Sequence, residues 1–307
     1  MSFFRWQGNG AGTKTDWDDG RNWLDAAGAA YVVGRHPGSV AAIHDDVVYD
    51  TALGVGALST AGYDAITAGD ESLNSFRVGP DYNGAIGLAG AGGQLRVNVP
   101  ELYVANDDGG DFYIEGGTLG AGLESVVILA TKPTSHLYLD GHIGDLWIEK
   151  GVVTLDATTI FAAGATITTR YVSAILTDVT LVIPAGVAMP TTGVVYMAGG
   201  AVTCAVDLYE LRISNGQWTQ VGDMSVLGMT GGVVIWTSGD IATAVLEGGK
   251  LDGSDSPVAR MVDTVFVYRG ASLDLDNGVL GSITIGTVHE AWGGITTWQP
   301  GERLIQL

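Results

Sequence analysis

One phrase returns along the chain between about Glu115 and Gly278: one or two glycines, then an extended run of aliphatic residues. It reads Gly116-Gly117-Thr118-Leu119, Gly151-Val152-Val153-Thr154-Leu155, Gly199-Gly200-Ala201-Val202 and Gly231-Gly232-Val233-Val234-Ile235, among others. Gly200, Gly216, Gly232 and Gly249 follow one another at steps of 16, 16 and 17 residues. Inside the units the side chains alternate, as in Leu273-Asp274-Leu275-Asp276 and His136-Leu137-Tyr138-Leu139-Asp140. Period two marks a strand with one buried face. Strands of about three to six residues, closed by glycine, Asp or Asn, cannot bury that face alone and must stack on like neighbours. The fold expected is all-β, a right-handed parallel β-helix (a β-solenoid). About ten coils spaced ~4.8 Å apart would form a rod on the order of 50 Å long. Irregular steps, such as 13 from Gly151 to Gly164 and 21 from Gly249 to Gly270, suit an antiparallel β-sandwich nearly as well, and that is the alternative. No long amphipathic helix is legible in the sequence.

The texture divides the chain into three. Residues 1–50 hold Trp6, Trp17 and Trp23 and read as an aromatic-rich N-terminal cap or attachment segment, because a solenoid's open ends would otherwise expose its core. Residues 51–287 form the solenoid body. Residues 288–307 lose the repeat and, with Trp292 and Trp298, read as a C-terminal cap.

Composition narrows the functions. The net charge is −20, with 14 Lys and Arg against 34 Asp and Glu, so nucleic acid and anionic membranes are repelled. Cys204 is the single cysteine, which excludes an internal disulfide and reads as core filling. The start, Met1-Ser2-Phe3-Phe4-Arg5-Trp6, lacks the basic opening and apolar run of a signal peptide, so synthesis in a cytoplasm is expected. The uncharged stretch from Val179 to Val206 could span a bilayer by length but is broken by Pro184 and Pro190 and has a strand-like texture; no membrane span is expected.

Sites of chemistry are sparse. Asp16-x-Asp18-Asp19-Gly20-x-Asn22 has the oxygen-rich character of a calcium loop but lacks the later bidentate Glu, and the same residues build Asx-turns without metal. His136, Tyr138, Asp140 and His142 would share one face if their strand continues past Gly141; a polar outer face is the plainer reading. Glycoside hydrolysis needs two carboxylates at a set separation. Asp274 with Asp276, and Asp107, Asp108 and Asp111, are the acidic groups nearest to that description, and they read as solvated. No nucleophile elbow or phosphate-binding loop is present. Neither catalysis nor a cofactor nor a metal is expected.

The opening Trp6-x-Gly8, Asp16-Trp17, Asn22-Trp23, Pro37 and Asp45-Asp46-Val47-Val48 resembles the leader of β-solenoid proteins encoded by tailed bacteriophages. The glycine-punctuated coils behind it are similar to the trimeric β-helix proteins that decorate phage capsids as cement or turret subunits. That resemblance implies a non-enzymatic virion protein on the capsid surface, made in the host cytoplasm, with itself (as a homotrimer) and the major capsid protein as partners. Trp6, Trp17, Trp23, Tyr138 and Trp147 would then serve attachment or the subunit interface. A tailspike-like glycan-degrading enzyme and a receptor-binding fibre are the rivals.

Overall fold

A computed structural model describes residues 2–7, 17, 19–37, 45–50, 73–82, 84–89, 94–106, 110–117, 122–131, 136–169, 179–254, 258–276, 283–290 and 295–297. The described chain is strand and turn throughout, apart from one 3-10 turn, Gly20–Asn22. It divides into two compact units, Met1–Ala162 and Ala163–Leu307. The division falls inside the stretch marked by the glycine repeat. Each unit is built from parallel ladders, the solenoid arrangement; the antiparallel sandwich does not hold. Among the described strands the antiparallel exception is Phe3–Trp6 against Trp23–Leu24.

In the first unit one ladder passes through Phe3–Trp6, Asp45–Tyr49, Leu73–Val78, Val99–Asn106, Leu123–Thr131 and the second half of His136–Ile148. Register puts Phe4, Val47, Phe76, Leu102, Val126 and Leu146 in one stack, each no more than 1 % exposed. A second ladder joins Leu95–Val97, Phe112–Gly116, the first half of His136–Ile148 and Gly151–Leu155, and stacks Leu95, Ile114, Leu139 and Leu155. The alternation seen in the sequence is therefore the inside–outside alternation of coils.

The second unit repeats the plan more regularly. One ladder runs Thr166–Thr169, Val194–Met197, Leu208–Ile213, the first half of Met224–Trp236, the first half of Ile241–Asp252, Arg260–Val267 and Ile283–Glu290. The other runs Val179–Ile183, Ala201–Cys204, Gln217–Gln220, the second halves of those two long strands, Ala271–Asp274 and Ile295–Thr297. Val202, Trp218, Val234, Leu251 and Leu273 stack in the interior. The stretch from Val179 to Val206 contributes three of these strands, and no helix among the described residues is long and apolar enough to cross a membrane.

The glycine steps are the coil lengths. Ala201 pairs with Gln217, Gln217 with Val233, and Val233 with Lys250, at offsets of 16, 16 and 17. Gly200, Gly216, Gly232 and Gly249 sit at one corner with φ of 85°, 92°, 75° and 79°. A Cβ at Gly249 would lie 2.4 Å from the Gly232 carbonyl oxygen, so the corner needs glycine both for its backbone angle and for the closeness of the next coil. Strands of three to six residues were expected, yet Met224–Trp236 and His136–Ile148 run 13 residues each. They pass from one ladder to the other by bending at glycine rather than by ending in a turn.

Candidate functional site: an outward slot at Gly228

The residues singled out by sequence are spread over both units. Trp6, Trp17 and Trp23 are fully buried in the first unit, packed edge to face at 4.7–4.8 Å with Tyr49 close by. Trp23 Nε1 donates to the Trp17 carbonyl and Trp17 Nε1 to that of Pro37. Beside them Arg35 covers the Phe4 ring and pairs with the fully buried Asp45, which also accepts from Ser2 N. These indoles form an interior, and a surface at this end is made by what encloses them.

Tyr138 and Trp147 are half-buried on the two different ladders of the first unit. Tyr138 stacks on Tyr113 at 4.4 Å, beside a cavity of ≈ 250 Å³ lined also by Gln94, Asp140 and Asp156. Trp147 Nε1 donates to Glu149 Oε1 at 3.3 Å. His136–Ile148 does continue past Gly141, but φ of 69° there turns it, so His142 pairs with Ile160 in the other ladder. Tyr138 and Asp140 therefore do not form one strip with His142; the His136 side chain lies outside the described residues. Asp140 Oδ1 accepts from Gly141 N and Thr158 Oγ1, which holds that carboxylate in the corner.

Of the acidic candidates, Asp274 is engaged in structure. Asp274 binds Lys250 at 3.0 Å, and Lys250 also reaches Asp252 at 2.6 Å. The hydrogen bond that Lys250 donates to Asp252, and then that to Asp274, raise the Lys250 pKa. For Asp252 burial opposes ionisation, but bonds from Lys250 and Ser254 outweigh it and lower its pKa. Asp19 of the calcium-like loop receives both Nε and Nη2 of Arg21; Asp16 and Asp18, like Asp107, Asp108, Trp292 and Trp298, lie outside the described residues. Cys204 fills the core, and burial pushes its thiol up to about 12. No cluster of three or more His, Cys, Asp or Glu among the described residues could hold a metal.

Sequence reasoning missed a cavity of ≈ 460 Å³ on the outer face of the second unit. It lies along one outward column of the ladder: Thr168, Tyr196, Arg212, Gly228, Val245, each registered against the next. Two local departures from the repeat create it. At 228 glycine stands where neighbouring coils carry a large side chain, and a Cβ there would meet nothing nearer than Arg212 Cγ at 3.8 Å. One coil on, Met229 pairs with Leu246 and Thr230 with Gly248, so Glu247 is an extra residue bulged out of the ladder into the cavity wall. Bulges of this kind re-aim a side chain. Arg212 lies over the Tyr196 ring at 5.7 Å and gives Nε to Glu210 at 2.5 Å. Ser214, Thr168 and Thr230 complete the rim with hydroxyls. A signal for the slot existed: Tyr196, Arg212 and Gly228 are spaced by 16, the same step as the corner glycines, so aligning coils places a gap after two large residues.

Searches against protein families, curated proteins and solved structures return no match for this chain.

Proposed function

We propose that the protein is a non-enzymatic structural subunit of a virion: a right-handed parallel β-helix, closed at its N-terminal end by the buried indoles, that decorates a tailed-phage capsid as a homotrimer. The observation that carries this reading is the way coil is locked to coil in the second unit. Backbone ladders join consecutive coils on two sides, and side chains add a third tie. Asp207 Oδ1 accepts from Asp223 N, Asp223 Oδ1 from Asp240 N, and Asp240 Oδ1 from Met261 N, at 2.7–2.8 Å. A body held in this way has little internal freedom, which is what a lattice-reinforcing subunit requires. Copies packed about a threefold axis would cover the outward Tyr138 and Trp147, and three weak contacts to the major capsid protein would add through multivalency. Light scattering of the full chain at micromolar concentration is expected to give three copies per particle, and co-sedimentation with capsids of the parent virus to retain it on the shell. A strict monomer that stays in the supernatant overturns the proposal. A receptor-binding fibre is the second reading, favoured by the slot at Gly228.

A further inference from the structure

We infer that the Gly228 slot is a binding site for a neutral saccharide. Arg212 and Val245 stand on the coils either side of Gly228, two ladder spacings apart, about 9.6 Å. Subtracting the thickness of the side chains leaves room for one sugar ring between them, and the ≈ 460 Å³ cavity extends past it to Tyr196 and Thr168. That volume is within the range of small-ligand sites.

The lining matches a polyol. A pyranose presents adjacent hydroxyls that each donate and accept, and an apolar C–H face. Arg212 has its Nε committed to Glu210, while a guanidinium carries five N–H donors in a planar fork, leaving its outer nitrogens to donate to a hydroxyl pair. Glu247, turned out by the bulge, supplies acceptors from the same lining. Thr168 and Thr230 do either, while Ser214, whose hydroxyl donates to the Met197 carbonyl, can accept. Val245 offers the apolar surface against which a C–H face packs, and the Tyr196 ring, under Arg212, backs the guanidinium.

Charge decides the kind of sugar. The nearest cation is neutralised by Glu210, Glu247 adds a negative charge, and the chain carries −20 overall. Phosphorylated or uronic-acid ligands meet repulsion; a neutral chain does not. The slot takes one or two residues of such a chain, read from the side.

The test uses the full chain and three linear probes: maltotriose, the trimer of N-acetylglucosamine, and trigalacturonate. Saturation-transfer NMR followed by titration is expected to show binding of a neutral trimer, unaffected by added salt. Gly228→Val places a side chain where space exists and favours the strand, so it keeps the fold while filling the slot; a loss of affinity of at least tenfold is expected. Glu247→Gln retains the bulge and is expected to weaken binding severalfold. Circular dichroism and the melting midpoint of both variants confirm folding. The inference is overturned if neither neutral probe binds at millimolar concentration, if Gly228→Val binds as the parent does, or if trigalacturonate binds best and is displaced by salt. The trimer measurement is independent of all of these outcomes, so failure here leaves the structural reading standing.

Discussion

Tyr49 shows how a single atom can work against the fold it sits in. Its ring packs against Trp6, Trp23, Phe76 and Tyr82, yet its hydroxyl, wholly buried, finds no hydrogen-bond partner among the described residues. Burial raises the phenol pKa well above its usual value, so the group stays neutral and simply lacks a partner. An unsatisfied buried polar group costs roughly 1–3 kcal/mol. Tyr49→Phe keeps the ring and removes the orphan, so it is expected to stabilise the protein by about 1 kcal/mol in urea unfolding. A loss of stability would mean that the hydroxyl is served by a partner such as an ordered water. The hydroxyl's lack of a partner could not be read from sequence. Asp45-Asp46-Val47-Val48-Tyr49 announces a strand, but which atoms its tyrosine meets depends on residues as distant in the chain as Trp6, Trp23, Phe76 and Tyr82.

Among the elements, the corner glycines carry most of the specification. Gly232 has φ of 75°, and a Cβ there would stand 2.9 Å from the Gly216 carbonyl oxygen. Gly270 has φ of 92° with open space around it. Left-handed backbone costs an ordinary residue roughly 1–2 kcal/mol by itself. Gly270→Ala is therefore expected to destabilise by about 1 kcal/mol, and Gly232→Ala by about 2 kcal/mol or more, because the coil below must also move. Equal losses in denaturant titration would show that proximity of the next coil plays no part. The 16, 16 and 17 steps that revealed the fold in the sequence are the register offsets of the ladder itself, and so the coil architecture was legible there. Less legible were strands that carry on round the corner, since Gly231-Gly232 reads as an end and acts as a bend. The slot was hidden for a related reason: Gly228 lies among corner glycines that serve the backbone, whereas its own role is to omit a side chain.

For the molecule as a whole, charge and pH set the working range. Asp252 has a folded pKa below its unfolded one, so it contributes stability above the ordinary aspartate value of about 3.9 that is lost as pH falls through the folded value. Lys250 has a folded pKa above its unfolded one, so its contribution is complete below about 10.4 and is lost as pH rises through the folded value. The melting midpoint is thus expected to hold a plateau between these limits and to fall on both sides. Lys250→Met should flatten the alkaline limb and, by removing the partner of Asp252 and Asp274, soften the acid one. A variant profile that follows the parent at both ends would show that this cluster adds nothing. The steps at the start of the chain, 43 residues from Phe4 to Val47 and 29 from Val47 to Phe76, explain why the repeat could be recognised in the second half and barely in the first: long excursions between coils dilute the period.

The row of aspartates at 207, 223 and 240 points one way. Each carboxylate takes the amide of the coil that follows it in the chain, never of the one before. A half-made protein therefore ends in an acceptor waiting for peptide that has yet to arrive. Cutting the chain after any of these layers would strip the last aspartate of the amide it holds.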